Sequence, residues 1–234
     1  MASSRSEFMR GARDAVPIIF AVAPFGLLFG ALAAENGMSA FEATLMSAAI
    51  YAGASQMVGI ELFGSEIPAW VIVLSILAVN FRHVLYSATM GQTIRAYSRP
   101  RKALAFFLMT DPQFAITEQR AELGLPTPFA WYLGLALPVY AMWVLEAYVG
   151  AVFGGLIDDP AAYGIDFLLP LYFLGMVMGF RGRANWLPVV VASALASVLA
   201  YHLVGSPWHV SLGGLAGIIV AAVIGVRPGH KLVV

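Results

Sequence analysis

The sequence predicts an all-α polytopic membrane protein, and its composition, hydropathy and charge balance all point that way. Of the 234 residues, 60% are hydrophobic and 11% are charged, whereas a soluble domain carries roughly 25% charged residues. The mean hydropathy is +0.82, and a water-soluble fold of this length cannot bury so much apolar surface. The 13 basic residues are matched by 13 acidic ones, which argues against nucleic-acid binding. We therefore treat the lipid bilayer as the solvent of this chain.

Apolar stretches of nearly the right length define the predicted crossings. A helix needs about 20 mostly apolar residues to span a hydrocarbon core of ~30 Å. The first stretch contains Pro17 and Pro24 and is longer than the apolar core of a signal peptide, so we expect a retained first helix. Six stretches are predicted to cross: 15–34, 67–90, 129–151, 167–180, 185–204 and 209–226.

Two further apolar segments, 40–63 and 103–119, are interrupted by polar or helix-breaking residues. The first contains the small polar run 52–56, and the second contains Asp111-Pro112 near its middle. Because proline lacks a backbone donor and disfavours helix at the residue before it, a break is predicted near Asp111.

Charge distribution predicts the topology, because short cytoplasmic loops collect Lys and Arg. Acidic, base-free connections lie at Glu35, at Glu66 and from Asp158 to Asp166. If every basic group is cytoplasmic, 40–63 and 103–119 must each return to the side from which they enter. Both termini are then cytoplasmic and the two segments are re-entrant from opposite faces, as in inverted-repeat transporters. Eight ordinary helices, with 91–102 outside, remain the alternative. The basic groups are Arg5, Arg10, Arg13, Arg95, Arg99, Arg101, Lys102, Arg181, Arg183, Arg227 and Lys231.

Helical spacing groups the few polar residues into candidate sites. Asn80 and His83 share one helix stripe, and Arg82 and Tyr86 share the adjoining one. Arg82 could instead snorkel to the cytoplasmic interface, but Asn80 and His83 are too short to do so and favour an interior site. Glu146 is predicted to be interfacial, near the outer end of its span.

The first interrupted segment offers a second polar group. Tyr51 and Ser55 are four residues apart, with Gln56 adjacent and Gly53 allowing close approach of a ligand to the backbone. A small-residue packing seam is an equally good interpretation. Pairs of glycines four residues apart predict close helix contacts: Gly26/Gly30, Gly150/Gly154, Gly175/Gly179 and Gly213/Gly217.

Enzyme signatures are not found in the sequence. It has no Walker phosphate-binding sequence, no nucleophile elbow and no His/carboxylate set at metal-ligand spacing. With zero cysteines, thiolate metal sites and Cys nucleophiles are excluded as well. We expect no enzyme, no cofactor and no metal.

Several motifs resemble the AzlC-type branched-chain amino acid exporter family. The resemblance rests on Tyr51-Ala52-Gly53-Ala54-Ser55-Gln56, on Asn80-Phe81-Arg82-His83-Val84-Leu85-Tyr86, on Thr110-Asp111 with Phe114-Ala115, and on Asp166-Phe167 before Pro170. It implies the large subunit of a two-component exporter of leucine, isoleucine and valine, working with a small AzlD-type membrane subunit. In that family an acidic residue commonly follows the aspartate; Pro112 stands there instead, which weakens a proton-relay role for Asp111.

We therefore expect one transporter domain over residues 1–234, in a bacterial cytoplasmic membrane, exporting branched-chain amino acids by a secondary and proton-coupled mechanism. A passive channel, or the membrane domain of a pump with a separate ATPase, are the alternatives. The expected substrate-binding residues are Tyr51, Ser55, Gln56, Asn80, Arg82 and Tyr86, and the expected proton-coupling residues are His83 and Asp111.

Overall fold

Helices account for nearly all of the chain that the structure, a computed structural model, describes: residues 3–63, 68–154, 167, 171, 174–175, 177–178, 180–205 and 208–225. The acidic connections at Glu66 and at 158–166, the turn residues Ser206 and Pro207, and the basic residues Arg227 and Lys231 lie outside these ranges. The helices are α1 (Ser4–Glu35), α2 (Ala40–Ile50), α3 (Gly53–Phe63), α4 (Ala69–Thr93), α5 (Arg99–Phe107), α6 (Asp111–Glu122), α7 (Phe129–Phe153), α8 (Trp186–Leu203) and α9 (Trp208–Ile224).

Four of these helices, α1, α4, α7 and α8, are long and apolar enough to cross a membrane. Their bounds agree with four of the predicted crossings to within a few residues, except that α1 begins well before residue 15. The chain divides into two compact units. One comprises residues 1–66 and 80–168, and the other comprises 67–79 and 169–234.

The first unit is built on α1 and α7, which run parallel and touch through glycine. A Cβ on Gly30 would lie 2.2 Å from the carbonyl oxygen of Ala147, and one on Gly150 would lie 2.1 Å from that of Leu27. Near the other end, a Cβ on Gly11 would lie 2.0 Å from the carbonyl oxygen of Trp131. Only glycine permits such backbone approach, which replaces the hydrophobic driving force that lipid does not supply. The predicted packing role of Gly26/Gly30 and Gly150/Gly154 is confirmed.

Helices α2 and α3 both lie against the C-terminal halves of α1 and α7. Ala43 near the start of α2 and Ile60 near the end of α3 belong to one buried cluster with Phe29 and Ala33 of α1. Between them the chain reaches further down α7, because Ala48 accepts a hydrogen bond of 2.8 Å from the hydroxyl of Tyr140. The segment therefore begins and ends at the same end of the unit.

Helices α5 and α6 follow the same plan from the opposite end. The Arg101 guanidinium of α5 lies 5.2 Å from the centre of the Phe129 ring at the start of α7. The last turn of α6 returns to that end, where Arg120 lies 4.5 Å from the centre of the Trp131 ring and 3.8 Å from the carboxylate of Glu7 in α1. Segment 99–122 therefore also starts and finishes at one end, the N-terminal end of α7.

The second half of α4 runs beside α6 toward that same end. Thr93 donates a hydrogen bond of 3.0 Å to Glu118, and beyond the helix the Tyr97 hydroxyl donates one of 2.8 Å to the carbonyl of Thr127. Tyr97 and Phe129 also meet edge to face, with ring centroids 5.3 Å apart. These contacts fix the level of α4 relative to the broken helices.

The second unit contains the antiparallel pair α8 and α9. A Cβ on Gly213 would lie 2.8 Å from Cβ of Ser197, and one on Gly217 would lie 2.1 Å from Oγ of Ser193, so this predicted glycine pair is also confirmed. Asn185, in the left-handed region at the start of α8, donates a hydrogen bond of 2.7 Å to the carbonyl of Gly225 after α9. Gly175 has open space where a Cβ would stand, and Gly179 lies outside the described residues.

Candidate functional site

The tips of the two broken helical segments meet halfway along α7. Tyr140 lies 11 residues into that helix, or about 17 Å of helical rise. Its ring centroid is 4.9 Å from that of Tyr51, at the first tip, and 5.9 Å from that of Phe107, at the second. The tips also touch directly, since Gln113 Nε2 donates a hydrogen bond of 3.3 Å to the Tyr51 hydroxyl. Two interruptions that enter from opposite ends thus share one level of the fold.

The first break occurs at Tyr51, and the expected helical stripe through Tyr51 and Ser55 is wrong for that reason. Tyr51 has φ 43° and ψ 49°, a left-handed conformation that ends α2. This conformation is uncommon for any residue with a Cβ. The two ring and hydroxyl contacts described above hold the side chain in place. Ser55 remains buried at 2% exposure, and its hydroxyl has no hydrogen-bond partner among the described residues.

Gln56 bridges the break. Its Oε1 accepts hydrogen bonds of 3.3 Å from the Ala52 amide and from Trp143 Nε1, and its Nε2 donates one of 3.0 Å to Ser47 Oγ. The residue is fully buried. These bonds satisfy backbone and side-chain groups that a broken helix would otherwise leave unpaired. In the described conformation Gln56 therefore bonds to the protein itself, and the polar atom that remains open nearby is the hydroxyl of Ser55.

The second break confirms the prediction made from Asp111-Pro112. Helix α5 ends at Phe107 and α6 begins at Asp111, with proline in its first turn and no side-chain cap from Thr110 onto the helix amides. The Thr110 hydroxyl instead donates to Gln113 Oε1. Uncapped first-turn amides and the positive end of the helix dipole favour negative charge at this position. Asp111 itself supplies such a charge.

Arg82 pairs with Asp111, so the snorkelling interpretation of Arg82 is wrong. Arg82 Nη1 lies 3.0 Å from Asp111 Oδ2, and the Tyr86 hydroxyl donates a hydrogen bond of 2.9 Å to Asp111 Oδ1. The Tyr86 ring stacks on Phe114 with centroids 4.1 Å apart. The predicted common face of Arg82 and Tyr86 is confirmed, since both reach the same carboxylate. Asp111 is 8% exposed.

His83 and Asn80 lie on the adjoining face of α4, half-buried. The His83 ring meets Tyr86 edge to face at 5.6 Å, and its Nδ1 has no hydrogen-bond partner among the described residues. The structure therefore brings four predicted residues together directly: Arg82, His83, Tyr86 and Asp111. The other group, Tyr51, Ser55 and Gln56, is joined to them through Gln113, two residues beyond Asp111.

Sequence reasoning missed Tyr140, Trp143 and Gln113, and it misplaced Glu146. Glu146 was expected at the membrane interface, but it is 5% exposed and packs between α7 and α1. A Cβ on Gly26 would lie 2.5 Å from its Oε2. The missing side chain of Gly26 makes room for the carboxyl group. The spacing of Gly26 and Gly30 predicted a close helix contact but gave no partner for it.

These features define a helical membrane protein with two opposed, interrupted helices around a buried ion pair. The sequence profile of the AzlC protein family matches residues 17–157, and the chain belongs to that family.

Curated relatives agree with this assignment. The chain is 29% identical to the inner membrane protein YgaZ of Escherichia coli, over 95% of this chain and 92% of that protein. It is 30% identical to an uncharacterized membrane protein of Archaeoglobus fulgidus, over 95% and 94% respectively. It is 28% identical to the branched-chain amino acid transport protein AzlC of Bacillus subtilis, over 74% of this chain and 68% of that protein. No solved structure matches the chain.

Proposed function

We propose that the chain is a secondary transporter that exports leucine, isoleucine and valine across a bacterial cytoplasmic membrane, with proton coupling and a small AzlD-type membrane subunit as its partner. The observation that carries this proposal is the meeting of two broken helices at the level of Tyr140, beside the buried pair of Arg82 and Asp111. Interrupted helices at membrane depth are tolerated where they line a binding site or are sheltered by protein. The name of the Bacillus subtilis relative supports the substrate class.

In the proposed topology the whole chain acts as one transport domain, with six crossings, cytoplasmic termini, and 40–63 and 103–119 re-entrant from opposite faces. Two observations support it: Ala43 and Ile60 belong to one cluster, and Arg101 lies beside Phe129. Each interrupted segment thus begins and ends at one end of the first unit. The parallel arrangement of α1 and α7 requires an odd number of crossings between them, which α4 alone supplies.

An aliphatic amino acid needs a site for its carboxylate, a site for its ammonium group and an apolar pocket. We assign the carboxylate to Arg82 and to the N-terminal turn of α6, where the guanidinium and the helix dipole both favour negative charge. The ammonium group would bind at the first break, to the Ser55 hydroxyl and to carbonyl oxygens at the end of α2, with Tyr51 and Gln56 holding the break. Tyr86 and Asn80 line α4 beside this position.

Proton coupling is assigned to His83 and Asp111. The Asp111 carboxylate is held by Arg82 and Tyr86 in the described conformation, so substrate and aspartate would compete for the same guanidinium. Imidazole is the side chain whose ordinary titration range lies nearest cellular pH, and His83 is in contact with Tyr86.

The test is counterflow of labelled valine in proteoliposomes, with and without a co-expressed small subunit. The wild type should show saturable counterflow. R82Q and S55A should reduce it severely, while R181Q, a matched loss of one cation in the second unit, should not. Flux that does not saturate and shows no counterflow would identify a channel, and dependence on ATP would identify a pump; either result would refute the proposal.

A further inference from the structure

Glu146 is a buried carboxyl group that the proposed substrate site does not use. It lies on α7 with 5% of its surface exposed, and neither carboxyl oxygen has a hydrogen-bond partner among the described residues. It faces Gly26 of α1, where a Cβ would lie 2.5 Å from Oε2 and 2.8 Å from its Cβ. No described basic or acidic side chain of the elements packed against α7 interacts with it.

The surroundings of Glu146 are apolar on both helices. One turn before it, the Trp143 ring packs on Phe25 and Phe29 of α1, with centroids 5.5 and 6.3 Å apart. One residue after it, Ala147 belongs to the buried cluster that contains Phe29. An ionised carboxylate with neither a cation nor a hydrogen-bond donor is expensive in such a place, whereas a protonated carboxyl is not.

Glu146 is also linked mechanically to the first break. Trp143, on the same face of α7, donates a hydrogen bond to Gln56 Oε1, and its ring fills the space beside Gly53, where a Cβ would lie 2.8 Å from it. Any separation of α1 from α7 that admits water to Glu146 would therefore shift Trp143 and the tip of α2 and α3.

We propose that Glu146 is a proton-binding site of this protein, distinct from His83 and Asp111. It carries its proton while α1 and α7 are in contact at Gly26, and it releases that proton to water when this contact opens. The proton is the only species transferred, and it passes between the carboxyl oxygen and solvent. The coupling part of the inference rests on the proposed transport function, whereas the proton site itself does not.

The direct test is infrared difference spectroscopy of the full chain in liposomes as pH is raised from mildly acidic to mildly alkaline. The wild type should show the C=O band of a buried protonated carboxyl, and E146Q should lack it. E35Q, which changes an exposed carboxyl at the end of α1, should keep the band. G26A retains the carboxyl but displaces it, so the band should move. A wild-type spectrum identical to that of E146Q would overturn the proposal whether or not the protein transports amino acids.

The coupling test compares two readouts in one proteoliposome preparation. E146Q should lower valine accumulation driven by an imposed pH gradient about tenfold more than it lowers valine counterflow, which is within the usual range of coupling between sites. E35Q should leave the ratio of the two unchanged. Equal losses in both readouts would overturn the coupling role, and absence of wild-type counterflow would refute the transport function instead.

Discussion

The ion pair of Arg82 and Asp111 should show strong energetic coupling in a double-mutant cycle. Their atoms are 3.0 Å apart, and the two side chains are 27% and 10% exposed. Two unit charges at that separation attract by about 5 to 6 kcal/mol at an effective dielectric constant of ~20, and desolvation offsets much of this gain. Removing one partner leaves the other charge buried, at a cost of about 3 kcal/mol or more.

The expected values follow from that asymmetry. R82Q and D111N should each lower the free energy of unfolding by about 3 kcal/mol, and the double variant should also lose about 3 rather than about 6 kcal/mol, because no uncompensated charge remains. The coupling energy is then about 3 kcal/mol. Unfolding in mixed micelles, followed by tryptophan fluorescence, measures all four proteins under one condition.

A matched control lies in the same unit. Arg10 and Glu7 also form an ion pair, with 2.9 Å between their atoms, but the Arg10 side chain is 62% exposed. R10Q should therefore cost less than about 1 kcal/mol. If the effects of R82Q and D111N add to within about 0.5 kcal/mol, the two groups do not form this pair in the protein, and the assignment of Arg82 to an interior site fails.

Three further predictions test the packing, the tips and the topology. G30A should destabilise the protein by about 1 to 3 kcal/mol, because its Cβ would press on the Ala147 carbonyl, whereas G91A, with open space at that position, should be neutral or mildly stabilising in the same unfolding assay. Y51F should cost about 1 kcal/mol through loss of the bond to Gln113, whereas Y148F, at a side chain 47% exposed, should cost nothing measurable; equal effects would count against the contact between the tips. Because the sequence has no cysteine, S98C can be labelled without background, and a membrane-impermeant maleimide should reach it from the cytoplasmic side alone; labelling from outside would favour eight ordinary helices.

Local chemistry predicted where the helices break better than how. Pro112 identifies the second break because its effect on the preceding residue is local. The first break was expected in the small-residue run, but it falls on Tyr51 in a conformation that glycine or asparagine would ordinarily supply. What compensates there is tertiary, the Tyr140 ring and the amide of Gln113, and these contacts lie 89 and 62 positions away along the chain.

The same distinction explains the two charged residues that were misread. Arg82 was placed at the correct depth by hydropathy, but its partner is 29 residues away and on another helix. Glu146 looked interfacial because its position along the span was the available criterion. Its burial depends on Gly26 of α1, and the parallel pairing of α1 with α7 that brings them together is not encoded in the spacing of either helix alone.

The contacts of the first unit differ in kind between its two parts. Helices α1 and α7 touch backbone to backbone at Gly11, Gly30 and Gly150, and close packing of this kind tolerates little sliding. The tips of the broken segments are held instead by single hydrogen bonds and ring contacts, such as Gln113 to Tyr51 and Tyr140 to Ala48. Such contacts are individually worth about 1 kcal/mol and can be exchanged for contacts with a ligand. We therefore expect the tips to move against a steady α1–α7 pair, with the exception of the Gly26–Glu146 contact, where that pair encloses a group that can change its charge.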